Sequence, residues 1–121
     1  MPVVTLDECD RGIIESALMA PAAQYAGFEK YPDLPSKAAA LTYSLAKSQA
    51  CIDGNKRIAF ILLNEFLAIN GAALETTDDD AAAIVLRVAE SNPADRDMIV
   101  MELTTRLERL IVQMNNEEET P

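Results

Sequence analysis

Histidine is absent from all 121 residues. That excludes a histidine general base, a histidine-containing triad and a histidine-ligated zinc site. A base would have to come from Asp, Glu, Lys, Tyr or Cys, or from the substrate itself. Cysteine is nearly as scarce: Cys9 and Cys51 stand alone, without metal-site spacing. Two isolated thiols fit a reduced, cytoplasmic setting better than a disulfide scaffold, although they could pair. Basic residues are few, ten against twenty acids, for a net charge of −10. Beyond Lys47, Lys56 and Arg57 there is no basic footprint, so a nucleic-acid partner is not expected. No apolar run is long enough to cross a bilayer, and Met1 to Leu6 lacks the basic-then-apolar pattern of a signal peptide. The length suits one domain with one core.

What is present is concentrated between Ser48 and Gly71. Ser48-Gln49-Ala50-Cys51-Ile52-Asp53-Gly54-Asn55-Lys56-Arg57 is a polar turn, and Ile58 to Asn70 is almost wholly apolar. Asp53-Gly54 signals a tight turn, because glycine accepts backbone angles that other residues resist. Asn70-Gly71 signals a helix stop. The pattern predicts a helix over Asn55 to Asn70, about 24 Å long, apolar on most faces and so the central helix of an all-α bundle. Its N-terminus would offer unpaired N–H groups and partial positive charge beside Lys56 and Arg57, which suits phosphate or carboxylate. Asp53, just outside, could hold Mg2+ bridging to phosphate. The alternative is a helix start that is merely capped and solvated.

The remaining elements follow in order. Val3 to Thr5 is a short strand or extended lead, and Thr5 with Glu8 forms a capping box for a helix to about Ala20. Its buried side is Cys9, Ile13, Ile14, Ala17 and Leu18. Pro21 to Pro35 carries Tyr25, Phe28 and Tyr31 and reads as a loop or short hairpin, either a recognition segment or a cover for the core edge. Asp33 caps a helix to about Lys47, with Pro35 in its first turn and a narrow inner face of Ala38, Leu41, Thr42 and Leu45. Thr77 and Asp80 start a helix ending near Ser91, with Ile84, Val85 and Val88 inward. Asn92-Pro93 breaks the chain before a last helix over about Ala94 to Met114. Its seam is Val100, Leu103, Leu107, Leu110, Ile111 and Met114. That seam either packs across its own bundle or overhangs and joins a partner chain as a homo-oligomer. Asn115 to Pro121 is an acidic, disordered tail.

Asp53-Gly54-Asn55-Lys56-Arg57 with Ala59 resembles the motif His-x-Phe-x-Asp-Gly-Asn-Lys-Arg-x-Ala of the Doc (death-on-curing) toxin branch of the Fic fold. Tyr31-Pro32-Asp33, Lys37 to Leu41, Tyr43 to Lys47 and Phe66 to Gly71 resemble Doc-like proteins too, so that the likeness covers about Arg11 to Leu103. It implies a small Fic-like helical domain over residues 1–114. It further implies a toxin of a toxin–antitoxin pair that moves phosphate from ATP to translation elongation factor Tu and is covered by a Phd-like antitoxin. By position, Asp53 would be the magnesium ligand, Gly54 and Asn55 would shape the anion-binding turn, and Lys56 and Arg57 would hold phosphates. Tyr25, Gly27 and Phe28 fall in the flap that clamps a target segment. Lys56 replaces a glycine of the AMP-transferring motif, and Phe60 stands where that motif has a second arginine, which disfavours nucleotidyl transfer.

Two positions depart from the motif. Gln49 occupies the place of the catalytic histidine and Cys51 that of the phenylalanine. Glutamine cannot accept a proton from a hydroxyl, and general-base catalysis is worth about 10²–10⁴-fold. Phosphoryl transfer relies mostly on positioning and charge. Two readings therefore stand: a Doc-like phosphotransferase in which Gln49 has a substitute role, and a catalytically impaired Fic-fold module that binds nucleotide or protein.

Overall fold

The helix that organises the molecule begins with a reciprocal cap. Asp33 Oδ1 accepts from the Ser36 backbone N–H at 3.0 Å, and the Asp33 N–H donates back to Ser36 Oγ at 3.3 Å. The Ser36 hydroxyl also donates to the Asp33 carbonyl. These bonds satisfy donors that a helix start leaves over, and Pro35 adds no donor of its own. They also hold the Asp33 carboxyl below its ordinary value, the Ser36 side-chain bond contributing most and its backbone N–H next.

The computed structural model describes residues 11–22, 24–25, 28–47 and 55–114. Among these the elements are α1 (Arg11–Leu18), β1 (Gln24–Tyr25), β2 (Phe28–Glu29), α2 (Leu34–Lys47), α3 (Asn55–Ile69), β3 (Ala72–Leu74), α4 (Asp78–Glu90), α5 (Arg96–Leu110) and β4 (Ile111–Gln113). The Thr5–Glu8 capping box, the lead at Val3–Thr5, Cys9, Cys51 and the tail at Asn115–Pro121 lie outside the described residues.

The fold is an all-α bundle of five helices around one central helix, as the sequence predicts, but that helix is α2. It packs against α1, α3, α4 and α5. Ala38, Ala39, Ala40, Leu41 and Thr42 have no exposure at all, and Tyr43, Leu45 and Ala46 are buried as well. The inner face is therefore not the narrow strip expected. Alanines let neighbouring backbones approach until they cover the helix on nearly every side. The Thr42 hydroxyl finds its partner within the helix, donating to the Ala38 carbonyl at 2.8 Å.

Helix α3 is greasier and more peripheral. Ile58, Ala59, Leu63 and Leu67 are buried, but Ile61 is 43% and Ile69 82% exposed. Hydropathy marks a helix as apolar, yet it cannot say which of two apolar helices gets the middle. In α1, Ile14 and Ala17 are buried while Ile13 and Leu18 are exposed. Thr77 caps α4 through its side chain, which accepts from the Asp80 N–H at 3.1 Å, and Ile84, Val85 and Val88 face inward.

The last helix stops earlier than its seam suggests. It ends at Leu110, and the chain continues as β4, antiparallel to β3 with Ala72 opposite Gln113 and Leu74 opposite Ile111. The Glu75 N–H donates to the Leu110 carbonyl and the Met114 N–H to the Gly71 carbonyl, extending the pairing at both ends. Val100, Leu103 and Leu107 are buried against the bundle. No helical overhang projects here, and Met114 is exposed beyond the strand. The expected irregular stretch after Pro21 does hold a hairpin, with β1 antiparallel to β2. Among the described residues, no helix is long and apolar enough to cross a membrane.

Candidate functional site

Two elements frame the polar turn. Helix α2 delivers the chain into it at Lys47, and α3 leaves it at Asn55. Asn55 and Lys56 open α3, and Arg57 follows in the same turn, half-buried. The sequence thus places the motif's last three polar residues in the first turn of a fifteen-residue helix. There backbone N–H groups lack helical partners and the dipole is positive. Gln49, Asp53 and Gly54 lie outside the described residues, as does Gly27 of the hairpin. Tyr25 and Phe28 fall in β1 and β2 as paired residues. No group of three or more Asp, Glu, His or Cys among the described residues could hold a metal ion.

The end of α2 is anchored by a cation. The Lys47 ammonium donates to the carbonyl of Ser91 and, at 3.4 Å, to that of Ala89. These are carbonyls at the C-terminal end of α4, where a cation is favoured. Ser91 Oγ satisfies a third, donating to the Val88 carbonyl at 2.7 Å. One turn back, the Tyr43 ring lies 6.0 Å from Lys47 Nζ and 5.3 Å from the Arg96 guanidinium. Arg96 in turn donates to the Tyr31 hydroxyl at 3.1 Å. Both cations lie within the range at which an aromatic ring's negative face attracts positive charge.

This series of contacts ties four parts of the chain together: the residue that leaves the hairpin, the end of α2, the end of α4 and the start of α5. An open cleft of about 500 Å³ lies beside it, with Gly12 and Ser16 of α1 on one side and Tyr43, Ser44, Lys47 and Arg96 on the other. The cleft therefore adjoins the end of α2 from which the motif turn departs.

Lys37, one helical turn into α2, holds the hairpin. Its ammonium donates to Glu29 Oε1 and to the Tyr31 carbonyl, both at 2.6 Å, and lies 3.5 Å from the Pro21 carbonyl. The sequence counts Lys47 among three cations and places Lys37 and Tyr43 in stretches of family resemblance without assigning any of them a contact, and it gives Arg96 no role. Arg96 and Tyr31 are 65 positions apart, so no local pattern announces their contact.

The model of the Fic/DOC family matches residues 5–67. A protein named Toxin Doc, from Mycolicibacterium smegmatis, is 40% identical over 95 residues, which is 78% of this chain and 73% of that protein. No solved structure matches the chain significantly. The family match covers α1, the hairpin, α2 and α3 as far as Leu67. With an identity that extends over most of both proteins, it makes this chain a member of the Fic/DOC family.

Proposed function

We propose that the protein is a Doc-type toxin of a toxin–antitoxin module, transferring the γ-phosphate of ATP to a hydroxyl of translation elongation factor Tu. A Phd-like antitoxin would cover its site. The observation that carries this reading is the Asp-Gly-Asn-Lys-Arg run leading into the first turn of α3, in a chain 40% identical to Toxin Doc.

The donor set suits a polyphosphate. The first turn of α3 presents backbone N–H groups, Lys56 and Arg57 add two cations to the same turn, and a glycine at position 54 would allow a phosphate close approach to the backbone. Asp53 would hold Mg2+, which supplies charge neutralisation at the phosphates. In the transfer, the target oxygen forms a bond to the γ-phosphorus as the bond to the β–γ bridging oxygen breaks, and ADP leaves. The hydroxyl proton cannot go to Gln49. It passes to an oxygen of the transferred phosphate, while Gln49 orients the hydroxyl. Such chemistry depends on positioning and electrostatics more than on a base. The hairpin β1–β2, with Tyr25, Gly27 and Phe28, would clamp the target segment.

Gln49 favours a second reading, a Fic-fold module that binds nucleotide or protein without turnover. One experiment separates the two. The natural protein and Gln49→His are each incubated with magnesium, ATP and elongation factor Tu, and the target's intact mass is read. Added phosphate from the natural protein supports the transferase. Phosphate only from Gln49→His marks a disabled scaffold, and added AMP would overturn the assignment of phosphoryl transfer. No mass change from either would remove elongation factor Tu as the target.

A further inference from the structure

The hairpin β1–β2 has two residues in each strand, and so small a pair is not stable in water by itself. Something outside it must fix its place. An ammonium group has three protons to donate, and that of Lys37 has three acceptors around it: the Pro21 carbonyl, the Glu29 carboxylate and the Tyr31 carbonyl. Pro21 precedes β1 and Tyr31 follows β2. One cation on the central helix therefore closes the chain on both sides of the hairpin and grips a side chain of β2 as well. Tyr31, a buried residue, is held again at its far end, its hydroxyl accepting from Arg96.

We propose that Lys37 is a positioning residue: it sets the hairpin against α2 in the one arrangement that receives the protein target, with the Arg96–Tyr31 bond as a second tie. The proposal rests on the transferase reading for its target, and on the contacts of Lys37 for its mechanism. Lys37 touches neither nucleotide nor phosphate in this role. Its loss loosens the hairpin and weakens target capture, leaving nucleotide handling as it was. An exposed ion pair with Glu29 alone would contribute little. Two backbone carbonyls on the same ammonium make the difference, because they constrain the main chain rather than one side chain.

The test compares the full-length natural protein with Lys37→Met, Lys37→Arg and Tyr31→Phe by amide hydrogen exchange. Lys37→Met should speed exchange across residues 24–31 by about tenfold and leave the buried middle of α5 unchanged. Lys37→Arg should restore most of the protection, since its donors can reach the same carbonyls. Tyr31→Phe deletes one hydroxyl, too small a change to unfold the chain, and should raise exchange in the same segment by less. Unchanged exchange in the hairpin, or an equal rise in α5, overturns the proposal. In whichever form transfers phosphate, Lys37→Met should raise KM for elongation factor Tu about tenfold with kcat and KM for ATP unchanged. Parallel changes in both KM values overturn the positioning role. Absence of transfer from the natural protein and from Gln49→His overturns the function reading alone, and the exchange data still decide on Lys37.

Discussion

The ammonium of Lys47 caps the C-terminal end of α4 by donating to the carbonyl of Ser91. Lys47 is the last residue of α2, so this bond fixes the point from which the motif turn departs. Lys47→Met keeps the apolar stem beside Tyr43 and removes the donor. A part-buried bond from a charged group is worth about 1.5–3 kcal/mol. Urea unfolding should show a loss of that size, and amide exchange at Val88 to Ser91 should rise first. Unaltered stability would mean that water replaces the ammonium at no cost.

Asp33 offers a titration with a defined sign. Its folded-state value lies below the ordinary 3.8, chiefly through the hydrogen bond to the Ser36 side chain. A depressed carboxyl contributes stability above its unfolded value and loses it as pH falls through the folded one. Asn at this position caps a helix about as well but does not titrate. The stability difference between the natural protein and Asp33→Asn should therefore be flat from neutral pH to about 5 and shift against the natural protein below about 4. Asp33→Ala should cost about 1 kcal/mol at neutral pH. Denaturant midpoints across the range check both.

The alanine run of α2 makes a third prediction. Ala39 is fully buried where the surrounding helices close on α2. Ala39→Leu adds three carbons to a site without room, and overpacking of this kind costs about 1–3 kcal/mol. Thermal unfolding should show it, with a cooperative transition retained. A neutral result would place unfilled space at the centre of the bundle.

These residues also show how much of the molecule is legible in its sequence. Caps are local, and Asp33, Thr77 and Gly71 act where their spacing puts them. Burial is not local. Ile58 to Ile69 outweighs the alanines of α2 in hydropathy, yet the small residues gain the centre, because close approach depends on side-chain volume. The β3–β4 pair was hidden because its partners are about forty residues apart and Ile111 to Gln113 continues the helical seam of α5. At the site, the motif turn announced itself by Gly54 and its charges. Lys37, Tyr43 and Arg96 did not, since each acts through contacts between distant segments.

Gly71 ends α3 with φ at +73°, a conformation that costs a side-chain-bearing residue about 1–2 kcal/mol. A Cβ placed there meets nothing within 4 Å, so the cost of Gly71→Ala is conformational and not steric. The carbonyl of Gly71 also accepts from the Met114 N–H, which ties this turn to β4. Gly71→Ala should lose about 1 kcal/mol by denaturant unfolding, and Gly71→Asn less, because asparagine tolerates the left-handed region. Equal losses for both would point to the backbone bond with Met114 as the sensitive feature.

The assignment of Asp53 as a magnesium ligand can be examined without turnover, which matters in a chain that carries Gln49 at the motif's histidine position. If Asp53 shares a cation with the nucleotide phosphates, ATP should bind the natural protein more tightly with magnesium than in EDTA. Asp53→Ala should remove most of that preference and leave the EDTA value unchanged, since the first turn of α3 with Lys56 and Arg57 remains. A tenfold loss corresponds to about 1.4 kcal/mol, well within the reach of calorimetry. Lys56→Met should behave in the opposite way, weakening ATP with and without the metal. A magnesium preference that survives Asp53→Ala would take the carboxylate out of the metal site and leave the α3 N-terminus as the sole determinant of phosphate binding.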